Sequence, residues 1–287
     1  MVDLHSHTDR SDGNLSPEQL VDLACQKGLK ALSITDHDSL EGYDVAAEYV
    51  DGRDLELICG VELSTKLHGR AIHILAYFLE DLPDTTFRGR LVSVQQNRRE
   101  RNSRLTERLR QLGLSVKLED AEALGRAQTG RPHFAQVLVN KGYVSNYREA
   151  FDRYLDESQP GYVQRSDPSV DDVLEWIREA GGISSWAHPA RFVDKDSRSA
   201  EELFHELKEK GLNAIEVYHA DHSPKQVEEL LSVAQKLDLG VTGGSDFHGG
   251  EKSSAALGSL NLPMTLLGDL QRLSRKVAAA GRGQTED

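Results

Sequence analysis

Hydrophobic and polar positions alternate from the start of the chain. Val2, Leu4 and Ser6 interleave with Asp3, His5 and His7, so a strand over Val2 to His7 sends its ionisable side chains to one face and its small or apolar ones to the other. The next stretch, SPEQLVDLACQKGLK, switches to helical spacing, with Ser16 as N-cap, Pro17 at the first helical position and Gly28 past the end. Strand ALSIT, helix SLEGYDVAAEYVDGR, and strands LELICGVELST and RAIHILAYF follow. From about Phe87 to Val163 the pattern is helical and rich in Arg, Glu, Gln and Asn. Short β segments then return in GGISSWAHPAR, NAIEVYHADH and GVTGGSDFHG, separated by helical patterns, and a last β segment, ALGSLNL, leads to a terminal helix and a loose tail, GRGQTED. The alternation predicts an α/β fold: a βα array over residues 1–86 and 164–287, interrupted by a helical insert over 87–163.

Polar clusters fall where β segments end: His5 and His7, then Asp36, His37 and Asp38, then Glu62, His73, His188, His219, and finally Asp246 and His248. In a βα barrel the strand C-termini share one rim, so these distant residues can meet there. A single His-x-His is a weak signal, more often an incidental pair than a ligand set. A whole series of N and O donors at strand ends is of the kind that holds Zn, Mn or Fe. Two imidazoles two residues apart on a strand lie ~7 Å apart by its rise, close enough to converge on one ion.

With 287 residues and 38% hydrophobic content, one α/β barrel is an ordinary size. The formal net charge of −13 excludes a protein that coats duplex DNA or anionic membranes, although it leaves room for a small or terminal phosphate. The two cysteines, Cys25 and Cys59, suggest neither a disulfide framework nor a thiolate zinc site and are expected as buried thiols. A strand beginning at residue 2 leaves no space for a signal segment, and apolar runs such as AIHILAYF are too short to span a bilayer, which predicts a cytoplasmic protein. Nothing in the chain implies an obligate protein partner.

The motifs DLHSHTDRSDG, ITDHDSLEG, GVELST followed by HILAYF, AHPAR and GGSDFHG, in this order, resemble those of the polymerase and histidinol phosphatase (PHP) superfamily over nearly the whole chain. The resemblance implies a distorted seven-stranded βα barrel with three divalent metal ions (Mn, Zn or Fe) at its C-terminal rim, acting on phosphate esters. It further implies that His5, His7, Glu62 and Asp246 surround one metal, that Glu62 bridges to a second held by His73 and His188, and that Asp12, His37 and His248 hold the third. Metals ~3.5–4 Å apart would lower the pKa of a bridging water and clamp phosphoryl oxygens, predicting direct attack by hydroxide without a covalent phosphoenzyme. Asp3, Asp36 and Asp38 are expected to orient imidazoles or stabilise turns. His219 is open between a general acid for the leaving oxygen, a phosphate donor and a core-edge residue. His68, His205 and His222 are expected at the exposed surface.

The insert carries QQNRRERNSRLTERLRQLG, in which Leu105, Leu109 and Leu112 form a packing stripe. Arg98 and Arg99 at its N-terminal end, Arg131 before the helix opened by Pro132, and Arg191 three residues after His188 are the candidate phosphate contacts. His133 could assist Arg131 or merely cap its helix. An inserted lobe with GRPHFA resembles the bacterial PHP group that dephosphorylates nucleoside 3′,5′-bisphosphates and is related to enzymes trimming RNA from its 5′ end. The expected activity is therefore removal of the 3′-phosphate of such a bisphosphate, with a small nucleotide or short RNA 5′ end as substrate. The alternatives are a histidinol-phosphate or broad nucleotide phosphatase, or a metal-stabilised nucleotide-binding module without turnover.

Overall fold

The computed structural model describes residues 1–125, 128–164, 166–250 and 255–282. Of the expected tail, residues 281 and 282 end a helix and the rest lie outside the described residues. Seven strands form one sheet in chain order: β1 (Val2–Asp3), β2 (Ala31–Ile34), β3 (Glu56–Leu67), β4 (Arg70–Phe78), β5 (Ile183–Trp186), β6 (Ala214–His219) and β7 (Gly240–Gly244). All neighbours pair in parallel except β4, which is antiparallel to both β3 and β5. Backbone bonds from Leu4 N to Gly243 O (3.3 Å) and from Asp246 N to His5 O (3.0 Å) bring the two ends together. The result is a distorted, nearly closed seven-stranded barrel, as the family resemblance implies.

The helices are α1 (Pro17–Gln26), α2 (Glu41–Tyr49), α3 (Thr85–Gln111), α4 (Leu118–Gly125), α5 (Arg131–Asn140), α6 (Tyr147–Ala150), α7 (Val170–Glu179), α8 (Ala190–Val193), α9 (Ala200–Glu209), α10 (Pro224–Lys236) and α11 (Met264–Arg282). Ser16, Ser169, Ser199 and Ser223 each start a helix with a reciprocal capping box, closed by Gln19, Asp172, Glu202 and Gln226. One compact unit comprises residues 1–89 and 168–287, the other residues 90–167. In the first, Val2, Ala31, Ile58, Leu75, Tyr77 and Ile183 come from five strands yet share one core cluster with Leu266, Leu267 and Leu270 of α11. Side chains from five strands of one sheet can meet only on its concave face, so this is the barrel interior. The second unit has its own core, including Leu105, Leu109, Phe134, Leu138 and Leu155.

Several expected elements differ. The strand expected to His7 stops at Asp3. Beyond it, Ser6 is held by Thr35 instead, through Thr35 N to Ser6 O (2.8 Å) and Ser6 N to Thr35 Oγ1 (3.1 Å). ALGSLNL makes no strand: Gly258 and Asn261 adopt positive φ (71° and 51°), and only Leu262 bridges to Val2. Leu112 is 41% exposed because α3 ends at Gln111 and the chain turns at Gly113, while Leu105 and Leu109 are fully buried as expected. Cys59 is buried, and burial pushes its thiol up to about 12, whereas Cys25 is only half-buried. No described helix is long and apolar enough to cross a membrane.

Candidate metal centre

Glu62 organises the rim. Its side chain is fully buried, and its two oxygens face five imidazoles. Oε2 lies 3.2 Å from each of His5 Nε2, His7 Nε2 and His37 Nδ1, whereas Oε1 lies 2.8 Å from His73 Nδ1 and 3.0 Å from His188 Nε2. Asp246 Oδ1 completes the first side, 3.3 Å from His5 Nε2 and 3.1 Å from His7 Nε2, and those two nitrogens are 3.2 Å apart. Four donors around one cation with bonds of ~2.0–2.1 Å would stand about 3.3–3.4 Å from each other in a tetrahedron. Five of the six edges of the His5, His7, Glu62, Asp246 group lie between 3.1 and 3.3 Å.

A second cluster joins His7, Asp12, His37 and His248. Asp12 Oδ1 is 3.2 Å from His248 Nε2 and 3.8 Å from His7 Nδ1, and the His7 and His248 rings stack with centroids 4.2 Å apart. His7 Nδ1 is buried without a hydrogen-bond partner. An orphaned buried nitrogen beside a carboxylate is what a ligand nitrogen looks like before its cation arrives. His37 also groups with Glu62 and His73. Thus all nine expected donors converge, and His7 and His37 each adjoin two clusters where a single ion apiece was expected.

The charges fit the same use. Burial raises the carboxyls of Glu62, Asp246 and Asp12, but the imidazoles around each outweigh it and hold all three well below the usual carboxylate range. Burial pushes His37 down to about 3 and His188 to about 4, which leaves them neutral with a free electron pair. His7 is pushed the other way, to about 10: burial opposes its charge, but bonds to Asp246 and Glu62 prevail. Nitrogen and carboxylate donors in a buried, anion-rich cage suit divalent cations, which replace the protons that His7 otherwise keeps.

Two expectations need correction. Glu62 and His73 lie inside strands, not at strand ends. The β3–β4 hairpin runs on beyond the rim to a two-residue turn at His68 and Gly69 (φ 49° and 77°), and antiparallel β4 presents its N-terminal half, with Ser64 paired to His73. His222 is buried: its Nδ1 donates to Val217 O (2.8 Å) and its ring lies 5.2 Å from that of His219. His68 and His205 are exposed, as expected.

The supporting carboxylates divide the work. Asp3 accepts from Ser245 N and Oγ (2.9 and 2.6 Å) and from Gly258 N (2.8 Å). Asp36 accepts from Thr8 N and Ser11 Oγ, and Asp38 from Ser64 N and Oγ. These three tie rim loops together. Glu216, absent from the expected set, bonds an imidazole: Oε1 lies 2.8 Å from His5 Nδ1. Its signal was a carboxylate in the middle of the apolar strand segment AIEVYH.

His219 sits at the centre, 3.3 Å from Asp246 Oδ2 through Nε2, while its Nδ1 accepts from Asp221 N (3.0 Å). Arg191 is also at the rim, its Nη2 2.5 Å from Asp221 Oδ2 and 3.3 Å from Asp246 Oδ2. The other candidate arginines belong to the helical unit. Arg99 pairs with Glu122 (2.9 Å), and Arg131 donates to Leu155 O (3.2 Å) and lies over the Tyr162 ring; Arg98 is buried. His133 caps its own helix, its Nδ1 accepting from Gly130 N (3.0 Å).

Fold and rim together define an α/β barrel built to hold divalent cations. The PHP domain model matches residues 3–163, and the chain belongs to this family. It is 34% identical over 247 residues to a 5′-3′ exoribonuclease of Haemophilus influenzae, covering 86% of this chain and 89% of that one. It is 31% identical over 249 residues to a 3′,5′-nucleoside bisphosphate phosphatase of Chromobacterium violaceum, covering 86% and 87%. A crystal structure from Bifidobacterium adolescentis, described as a metal-dependent phosphoesterase, superposes with a TM-score of 0.78 at 30% identity, over 95% of this chain and 96% of that one.

Proposed function

We propose that this chain is a phosphoesterase dependent on three divalent cations (Mn, Zn or Fe) that removes the 3′-phosphate of nucleoside 3′,5′-bisphosphates and also trims 5′-phosphorylated short RNA. The observation that carries the reading is the Glu62 carboxylate, which parts five imidazoles into three on one oxygen and two on the other, a donor arrangement that would suit more than one cation. The relatives named for bisphosphate and RNA hydrolysis support the substrate class. His5, His7, Glu62 and Asp246, then Glu62, His73 and His188, then Asp12, His37 and His248 are the proposed ligand sets. Divalent ions held there would supply Lewis-acid polarisation of phosphoryl oxygens and would lower the pKa of water.

The chain's own groups do the rest. Because Asp221 N–H donates to His219 Nδ1, the neutral ring carries its proton on Nε2, the atom facing Asp246. His219 is therefore arranged to donate a hydrogen bond from Nε2 to a phosphoryl or leaving oxygen, stabilising the negative charge that gathers there. Arg191 offers a partly exposed guanidinium beside Asp246 to a phosphoryl group. Arg98, Arg99 and Arg131 of the helical unit are proposed, on charge, for the second phosphate.

The test is a phosphate-release panel on manganese-loaded full-length protein, comparing adenosine 3′,5′-bisphosphate, 5′-AMP, a short 5′-phosphorylated RNA and histidinol phosphate. The bisphosphate is expected to be turned over fastest. Arg191→Ala should lower kcat/KM for it by about 10–100-fold, the worth of a charged hydrogen bond to phosphate. Preference for histidinol phosphate, or release from none of the four, contradicts the reading.

A further inference from the structure

Glu216 is a fully buried carboxylate between Ile215 and Val217 of β6. Such a group is costly inside a barrel unless both oxygens are bonded. Here both are. Oε1 accepts from His5 Nδ1 at 2.8 Å, and Oε2 accepts from the backbone N–H of His188 at 2.6 Å.

The two partners stand on opposite oxygens of Glu62: His5 Nε2 faces Oε2, and His188 Nε2 faces Oε1. Each needs holding. An imidazole that donates from Nδ1 must turn its Nε2 electron pair the other way, and for His5 that way leads to His7, Glu62 and Asp246. His188 has φ +34°, outside the comfortable range of a residue with a side chain, and precedes Pro189, which narrows its choices further. Its backbone keeps this conformation only if something fixes it, and the N–H to Glu216 is the buried bond that does.

We infer that Glu216 is a positioning residue of the centre, one carboxylate that fixes the ring of His5 and the backbone of His188 and so sets the spacing of donors on both sides of Glu62. Glu216 also groups with His5 and His219 as a candidate donor set, but its two oxygens already accept from His5 Nδ1 and His188 N, which favours the positioning role. The inference rests on the metal reading of the rim and is independent of which ester is cleaved.

The chemistry makes a sharp demand: the site needs two acceptors facing two donors. Glu216→Gln keeps the shape but offers one oxygen and one NH2 group, so an N–H must confront either His5 Nδ1–H or His188 N–H. The expected result is a chain with unchanged far-ultraviolet circular dichroism whose affinity for Mn²⁺ or Co²⁺, measured by competition with a chromophoric chelator, falls about 10–100-fold. The Co²⁺ ligand-field bands should shift, and phosphate release, where measured, should drop in kcat more than KM should rise. Adding Glu216→Gln to His5→Gln should cost much less than the product of the two single losses, because part of the effect passes through the same ring. Should Glu216→Gln fail to fold, nitrogen-15 NMR of histidine-labelled, zinc-loaded wild type decides. His5 protonated on Nδ1 supports the inference, and a proton on Nε2 overturns it. Wild-type affinity and spectrum in Glu216→Gln, fully multiplicative losses in the double variant, or no uptake of divalent metal by the wild type also overturn it. Metal uptake that depends on Glu216 in a protein releasing no phosphate would leave this inference standing and remove the proposed activity.

Discussion

Glu62→Gln, loaded with manganese and assayed on adenosine 3′,5′-bisphosphate, is expected to release phosphate at least about 10³-fold more slowly than the wild type. The amide occupies the same space, but it removes the negative charge that five imidazoles share and one of the two oxygens that face them. Charge stabilisation by bound cations is worth several kcal/mol in such reactions, and each ~1.4 kcal/mol is tenfold in rate. Metal content measured alongside should fall. The same change should register in metal-free protein. Burial raises the Glu62 carboxyl, yet His37, His73 and His5 hold it well below the usual range, so its folded-state pKa is depressed. A depressed carboxylate contributes stability above its unfolded pKa of ~4.3 and loses it as pH falls through the folded value. Metal-free Glu62→Gln should therefore melt lower than metal-free wild type at pH 7, with the gap closing only in acid. More than a tenth of wild-type turnover with full metal content would count against Glu62 as the shared carboxylate.

The parts of this molecule legible in the sequence are those fixed by local chemistry. Ser16 followed by Pro17 and Gln19 specifies a helix start because the cap is made within four residues, and the structure shows that cap closed. His5, His7, His37, Asp246 and His248 could be picked out because each follows a β segment, and parallel strands deliver such residues to one rim, whereas Asp12 was implied by the family resemblance alone. What stayed hidden depends on partners distant in the chain. How far the β3–β4 hairpin runs past the rim is set by the neighbouring strands, so Glu62 and His73 were expected at strand ends when they lie mid-strand, Glu62 opposite Leu75 and His73 opposite Ser64. Glu216 reads as an odd residue in an apolar strand until His5, 211 positions away, supplies its bond. His222 looks like a surface residue of the loop HADH, but the carbonyl of Val217 turns its ring inward.

Gly244→Ala should be the most damaging single methyl in the barrel. A Cβ at this last residue of β7 would lie 2.3 Å from His5 N and 2.4 Å from His5 Cβ, far inside the 3.0 Å that real Cβ atoms respect. Adding atoms to a packed interior costs about 1–3 kcal/mol when side chains can shift. Here the obstacle includes backbone, held by Leu4 N to Gly243 O and Asp246 N to His5 O, so relief requires β7 and the β1 segment to part. A loss of about 3 kcal/mol or more is expected, which lowers Tm by about 6–12 °C for a chain of this size. The seam that opens is the one carrying His5 and Asp246, so metal affinity should fall with stability. Gly89→Ala is the matching control: it lies within α3, a Cβ there meets nothing within 4 Å, and the change should leave Tm equal or slightly raised, since alanine favours helix. Thermal melts of both variants, with and without manganese, check the pair. If Gly244→Ala melts like Gly89→Ala and binds metal normally, then close approach of β7 to His5 is not what holds the barrel shut.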